Sequence, residues 1–146
     1  NYKTERIGKN EFAASPYQLG DLLLIEAGAT FALDKKTGET KWKSQAYRPA
    51  YGSPTSFNSG ESDLIAVLKT DGLVILNAAN GKTLAFEKWE TSYRTNSTTP
   101  IVQGDKVFIS TGYKRGCALP PQDPPDWLPE ARVHMAGSSL AQGNPK

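Results

Sequence analysis

Short apolar runs alternate with small and polar residues along roughly the first 120 positions of the chain. Most runs are four to six residues long, and Gly, Asp, Asn or Pro bounds them. Runs of this length favour β-strands, since helices usually need about ten or more periodic residues. The pattern predicts two sets of four strands, at 16–19, 22–27, 30–34 and 39–44, and at 55–57, 64–69, 73–77 and 83–89.

The predicted strands recur with a fixed period. An aspartate precedes an apolar run at positions 21, 63 and 105, which gives a spacing of 42 residues both times. A Ser-Pro or Thr-Pro pair stands upstream of each run, at 15–16, 53–54 and 99–100. Four strands repeated at about 42 residues are typical of β-propeller blades. The sequence therefore predicts an all-β fold made of four-stranded antiparallel blades.

A bulged hairpin is predicted between the third and fourth strands of each unit. Asp34 can accept backbone N–H groups at the start of a type I turn, and Gly38 can supply the positive φ that closes it. Asn77 and Gly81 can do the same in the second unit.

These residues resemble the quinoprotein-type β-propeller repeat, also called the pyrroloquinoline-quinone-like repeat. The resemblance rests on Ala32-Leu33-Asp34 with Thr37-Gly38 and Trp42, and on a degenerate copy, Leu76-Asn77 with Asn80-Gly81 and Phe86. It spans roughly residues 12–119. It implies an eight-bladed propeller in complete members and a periplasmic or cell-envelope location. Trp42, Phe86 and Trp89 are expected to pack between blades.

Residues 1–119 are expected to form about two and a half blades of an incomplete or open propeller, because eight blades would need about 336 residues. Three interpretations stay open: a piece of a longer chain, an open stack of blades, or subunits that assemble into a ring. We expect a piece, since the chain begins at Asn1 rather than at Met. Residues 120–146 hold six of the ten prolines and are predicted to be an irregular tail.

Composition excludes several function classes. The net charge is +2 and both signs are interspersed, so no nucleic-acid footprint is visible. No apolar run approaches the 18 or more residues of a membrane-spanning helix, and no signal segment opens the chain. The chain has one cysteine, Cys117, and one histidine, His134, which we expect to be a buried structural thiol and a solvated side chain. We therefore expect no metal site and no catalytic residue.

Carboxylates that recur in every unit are interpreted differently from residues that lie in the connections between units. Asp21, Asp63 and Asp105 occupy one position of the repeat, so we interpret them as turn residues. The connections between units are instead polar, aromatic and basic, and loops on rigid sheets commonly carry function. The candidate ligand- or partner-binding residues are Tyr93, Arg94 and Asn96 in the second connection, and Tyr47, Arg48 and Tyr51 in the first.

The leading hypothesis is a non-catalytic propeller fragment that acts as a binding scaffold in the cell envelope, with a protein or further blades as its partner. One alternative is part of a quinone-dependent alcohol or sugar dehydrogenase. Only that alternative requires cofactors, which the resemblance implies to be pyrroloquinoline quinone and calcium. Another alternative is a repeat protein that self-associates through exposed blade edges.

Overall fold

The computed structural model describes residues 13–104 and 106–112, and the backbone of 116–118. These residues form eleven β-strands and no helix. The strands are β1 (Tyr17–Leu19), β2 (Leu22–Ala27), β3 (Ala29–Asp34), β4 (Thr40–Lys43), β5 (Thr55–Ser59), β6 (Ser62–Leu68), β7 (Gly72–Asn77), β8 (Thr83–Lys88), β9 (Ile101–Gln103), β10 (Lys106–Thr111) and β11 (Gly116–Ala118).

Three antiparallel sheets follow one another along the chain. The first unit has the order β1-β2-β3-β4 and the second has the order β5-β6-β7-β8, while β9, β10 and β11 form the third. Sequential antiparallel sheets that stack face to face are the blades of a β-propeller, so the all-β prediction is confirmed for a partial propeller. The predicted strand 39–44 covers only Thr40–Lys43 in the structure, and just after it the Ser44 hydroxyl, in place of a strand carbonyl, accepts the N–H of Thr30 (2.9 Å).

The second sheet is buried on both faces. In β6, Leu64 and Ala66 pack towards Val107 and Ile109 of the third unit. Ile65 and Val67 alternate with these two residues along β6 and pack towards the first unit. Alternate side chains of a strand point to opposite faces, so a sheet between two others reads as an uninterrupted apolar run. This arrangement places two hydrophobic cores, one on each side of the second unit.

Both predicted bulged hairpins are present. The Asp34 carboxylate accepts the N–H groups of Lys36 (2.9 Å) and Thr37 (3.0 Å), and Gly38 has a φ of +76°. In the second unit Asn77 accepts the N–H of Ala79 (2.9 Å), and Gly81 has a φ of +72°. The strand register shifts at Ala32/Leu33 and again at Ile75/Leu76.

Trp42 and Trp89 pack between units as predicted. The Trp42 indole N–H donates to the Ala78 carbonyl of the second unit (3.0 Å), and the Trp89 indole N–H donates to the Thr111 hydroxyl of the third (3.0 Å). Both rings also cover the hydrophobic cores.

Phe86 is not the counterpart of Trp42, so the prediction that matched these two aromatic residues is wrong. Trp42 pairs with Ala32, whereas Phe86 pairs with Val74, one register position away from the equivalent residue, Ile75. Ala85 pairs with Ile75 and packs against the core instead. Since adjacent residues of a strand face opposite sides, Phe86 is turned away from that core and is 45% exposed.

The turn aspartates also differ between units. Asp21 lies in the β1–β2 turn as predicted, and its carboxylate pairs with Lys35 (2.9 Å). Asp63 lies inside β6 opposite Asn58, because the β5–β6 hairpin extends two residues further on each strand. The predictions for Asp105, for the Cys117 side chain and for His134 lie outside the described residues.

Candidate functional site

The connections between units lie at one end of the sheets, next to the β2–β3 and β6–β7 turns. The Tyr47 N–H donates to the Gly28 carbonyl (3.1 Å), and the Thr70 N–H donates to the Arg48 carbonyl (3.2 Å). We call residues 44–54 and 89–100 together the connection face. The bulged hairpins lie at the opposite end of the sheets, which we call the hairpin end.

The two connections run side by side. The Tyr51 N–H donates to the Asn96 carbonyl (3.0 Å), and the Ser53 N–H donates to the Thr99 hydroxyl (3.1 Å). Gly52 lies against the Thr98 carbonyl so closely that a Cβ would overlap it. Because three consecutive residues of one loop contact the other loop, the connection face is one continuous surface.

Three of the six predicted site residues are exposed on this surface. They are Arg48 on the first connection and Tyr93 and Arg94 on the second, and Tyr93 is 71% exposed. The backbone of Arg94 has a φ of +54°, and its N–H donates to the Thr91 carbonyl (2.9 Å). The Thr91 hydroxyl in turn accepts the N–H of Thr95 (2.8 Å). These bonds hold Arg94 in a left-handed backbone conformation, which fixes the direction in which its Cα–Cβ bond leaves the loop.

Asn96 lies beneath the surface and supports it. Its side chain is fully buried, and its amide nitrogen lies within hydrogen-bond distance of the carbonyls of Lys69 (2.8 Å), Trp89 (2.9 Å) and Thr70 (3.2 Å). Its Oδ1 has no partner among the described residues. Asn96 therefore joins the second connection to the β6–β7 turn rather than facing solvent.

Tyr47 and Tyr51 are half-buried. The Tyr47 hydroxyl shares a hydrogen bond with the Thr83 hydroxyl (2.9 Å), and its ring stacks on Phe86 with centroids 5.9 Å apart and planes 6° apart. This stacking holds the first connection against β8, the outer strand of the second unit. The binding role of all six residues stays a prediction.

A buried ion pair that was not predicted from the sequence lies under the connection face. Lys69 is 1% exposed and Glu26 is 7% exposed, and the Lys69 ammonium bonds the Glu26 carboxylate. Glu26 also accepts the Thr30 hydroxyl, and Lys69 also donates to the Gly28 carbonyl (3.4 Å). The pair thus joins the first unit to the second. The one available signal was a lysine directly after the buried run 64–68.

Buried polar side chains are concentrated at this end of the described structure. Charged groups and hydroxyls leave water only when they find partners, so such a cluster marks a region whose geometry is specified by hydrogen bonds. The buried polar residues are Glu26, Thr30, Ser44, Lys69, Thr70, Thr91, Asn96 and Thr111.

The hairpin end carries a groove of about 520 Å³ between the first and second units. Three carboxylates line it, those of Asp21, Glu61 and Asp63. Asp21 is paired with Lys35, and Asp63 accepts the side-chain amide of Asn58. No group of three His, Cys, Asp or Glu side chains in the described part of the chain could hold a metal ion. No helix within residues that the structure describes could span a membrane.

Comparison with known proteins bears on the family rather than on the site. No curated protein matches the chain. A family model described as "Outer membrane protein assembly factor BamB" matches residues 5–144. The match includes most of the proline-rich segment 120–146, which lies outside the described residues, so the predicted boundary at residue 119 stays a prediction. Because the match covers nearly the whole sequence, the chain belongs to this family of pyrroloquinoline-quinone-like repeats.

Proposed function

We propose that the chain is part of a non-catalytic β-propeller that binds a protein partner in the cell envelope through the connection face. The observation that carries this proposal is the joining of two loops into one surface, where Arg48, Tyr93 and Arg94 are exposed over a hydrogen-bonded base. Arginine and tyrosine are enriched at the energetic centres of protein interfaces. A base that is already ordered lowers the entropy cost of binding.

The family description supports the location and the kind of partner. The matched family is described as an outer membrane protein assembly factor, and a role in assembling membrane proteins would require an envelope location and protein partners. Two arginines on the connection face favour a partner surface that carries carboxylates, since guanidinium groups bind carboxylates in a bidentate manner.

The proposal is tested by paired double variants in the source organism. R48A/R94A removes both exposed arginines of the connection face, and K36A/K82A removes two exposed lysines from the hairpin end. We expect the arginine variant to weaken partner binding about tenfold or more. Outer membrane proteins should then fall in abundance in the outer membrane fraction while the chain itself stays at its normal level. The lysine variant should match the unaltered chain.

Equal behaviour of the two variants would contradict the assignment of the partner surface to the connection face. The dehydrogenase alternative is examined with the purified chain, titrated with pyrroloquinoline quinone and calcium and assayed for dye-linked oxidation of simple alcohols. Saturable quinone binding with turnover would overturn the non-catalytic proposal.

A further inference from the structure

The three Ser/Thr-Pro pairs lie next to one another at the starts of the three units. The Ser15 N–H donates to the Ser53 hydroxyl (2.9 Å), and the Ser53 N–H donates to the Thr99 hydroxyl (3.1 Å). These bonds join residues 38 and 46 positions apart in the sequence. Each amide therefore bonds the hydroxyl at the equivalent position of the next unit.

Proline explains why the pattern can repeat. Proline favours an extended backbone conformation at the residue before it. Ser15, Ser53 and Thr99 therefore favour the same backbone conformation before any contact between units forms. Proline has no N–H of its own, so the serine or threonine carries the last amide donor before the first strand of the unit. The hydroxyl of the same residue serves as the acceptor for the preceding unit.

Further contacts next to the pairs hold the first strands together. The Thr55 hydroxyl donates to the Pro100 carbonyl (2.9 Å), and the Tyr17 and Ser56 hydroxyls share a hydrogen bond (2.9 Å). The same location therefore joins the first unit to the second and the second to the third.

We infer that the Ser/Thr-Pro pairs form a hydroxyl-to-amide ladder that sets the order and the lateral spacing of neighbouring blades. The ladder has a direction, because the amide of each unit bonds the hydroxyl of the unit that follows. Among the described residues its two ends are the Ser15 hydroxyl and the Thr99 N–H. A further unit of this repeat that stacks on the third one therefore needs a serine or threonine before its proline.

Amide hydrogen exchange of the folded chain, measured residue by residue by NMR, tests the ladder. T99V removes the acceptor of the Ser53 N–H and should make that amide exchange about tenfold faster or more. S53A should do the same to the Ser15 amide. S15A removes a hydroxyl that no described residue uses, so it should change neither amide. The Val67 amide in β6 reports whether the core stays folded.

The conservative variant T99S keeps the hydroxyl and should restore slow exchange at Ser53. The ladder is overturned when T99V leaves the Ser53 amide unchanged, when S15A accelerates the Ser53 amide as strongly as T99V does, or when T99S fails to restore slow exchange. A variant that also accelerates exchange at the Val67 amide has loosened the whole sheet. In that case the Ser53 exchange rates of T99V and T99S, each divided by the Val67 rate of the same variant, decide the outcome.

Discussion

The connection face and the hairpin end are the two ends of the same sheets, yet different interactions hold them. At the hairpin end Asp34 bonds amides two and three residues away. Under the connection face Lys69 bonds Glu26 from 43 residues away, and Asn96 bonds Lys69 from 27 residues away. The turns of the hairpin end are therefore specified locally, although Trp42 also bonds Ala78 of the next unit there, whereas the connection face exists only when neighbouring units have stacked.

Burial separates the two ends in the same way. The ion pair under the connection face is almost inaccessible to water, while the Lys35–Asp21 pair at the hairpin end has side chains 34% and 85% exposed. A buried pair is costly to break, because removing one partner leaves the other charge without compensation. An exposed pair contributes little, because water and salt screen it.

The same substitution at both ends should give the largest contrast. Lys69→Met leaves the Glu26 carboxylate buried without its partner and should lower the free energy of unfolding by about 3–5 kcal/mol. Lys35→Met, the matched change at the hairpin end, should lower it by about 1 kcal/mol or less. Urea unfolding of both variants gives the two values.

A second variant separates charge from packing. In E26L/K69M both charges are replaced by apolar groups of similar size, and most of the lost stability should return. Equal losses in K69M and K35M would show that the two ends do not differ in the way we describe.

The next contrast lies within the hairpin end. Gly38→Ala places a Cβ in open space and adds only the strain of a left-handed backbone, about 1–2 kcal/mol. Gly81→Ala adds the same strain and also drives a Cβ into the Trp42 ring, which should bring the total to about 2–4 kcal/mol. Thermal unfolding should rank the two variants in this order, and a reversed ranking would show that Trp42 moves aside at no cost.

The contrast between local and long-range contacts also explains which features could be predicted from the sequence. The 42-residue period, the strands and the Asp34 and Asn77 hairpins depend on residues that are close in sequence, and these predictions were confirmed. The Glu26–Lys69 pair depends on how two blades stack, and its one local signal is a lysine directly after the apolar run 64–68. The burial of Asn96 was missed because two of the three carbonyls near its amide, those of Lys69 and Thr70, lie 27 and 26 residues away in the sequence.

Phe86 shows how a local pattern can mislead. Trp42 stands four residues after its hairpin glycine, whereas Phe86 stands five residues after Gly81. Strand side chains alternate with a period of two, so one extra residue moves a side chain to the opposite face. The bulge lies at the same place in both hairpins and does not absorb this residue. A count of spacing from the glycine would have distinguished the two aromatics.

The smallest expected effect concerns the charge that distinguishes the two hairpins. The backbone N–H groups of Thr37 and Lys36, with a smaller contribution from the Lys41 ammonium, hold the pKa of Asp34 below its ordinary value. A group whose pKa is lowered by folding stabilises the folded state at pH values above its unfolded pKa, near pH 4 for aspartate. That contribution is lost as the pH falls through the folded pKa.

Asp34→Asn makes the first hairpin chemically like the second, where Asn77 performs the same turn without a charge. We expect the difference in urea midpoint between the unaltered chain and D34N to be small near pH 6 and to change in favour of D34N by pH 3, because only the carboxylate loses its acceptor capacity on protonation. Asn77→Asp, the reverse change, should introduce the same pH dependence into the second hairpin. A midpoint difference that stays constant from pH 6 to pH 3 would show that the Asp34 charge adds nothing to what a neutral acceptor supplies.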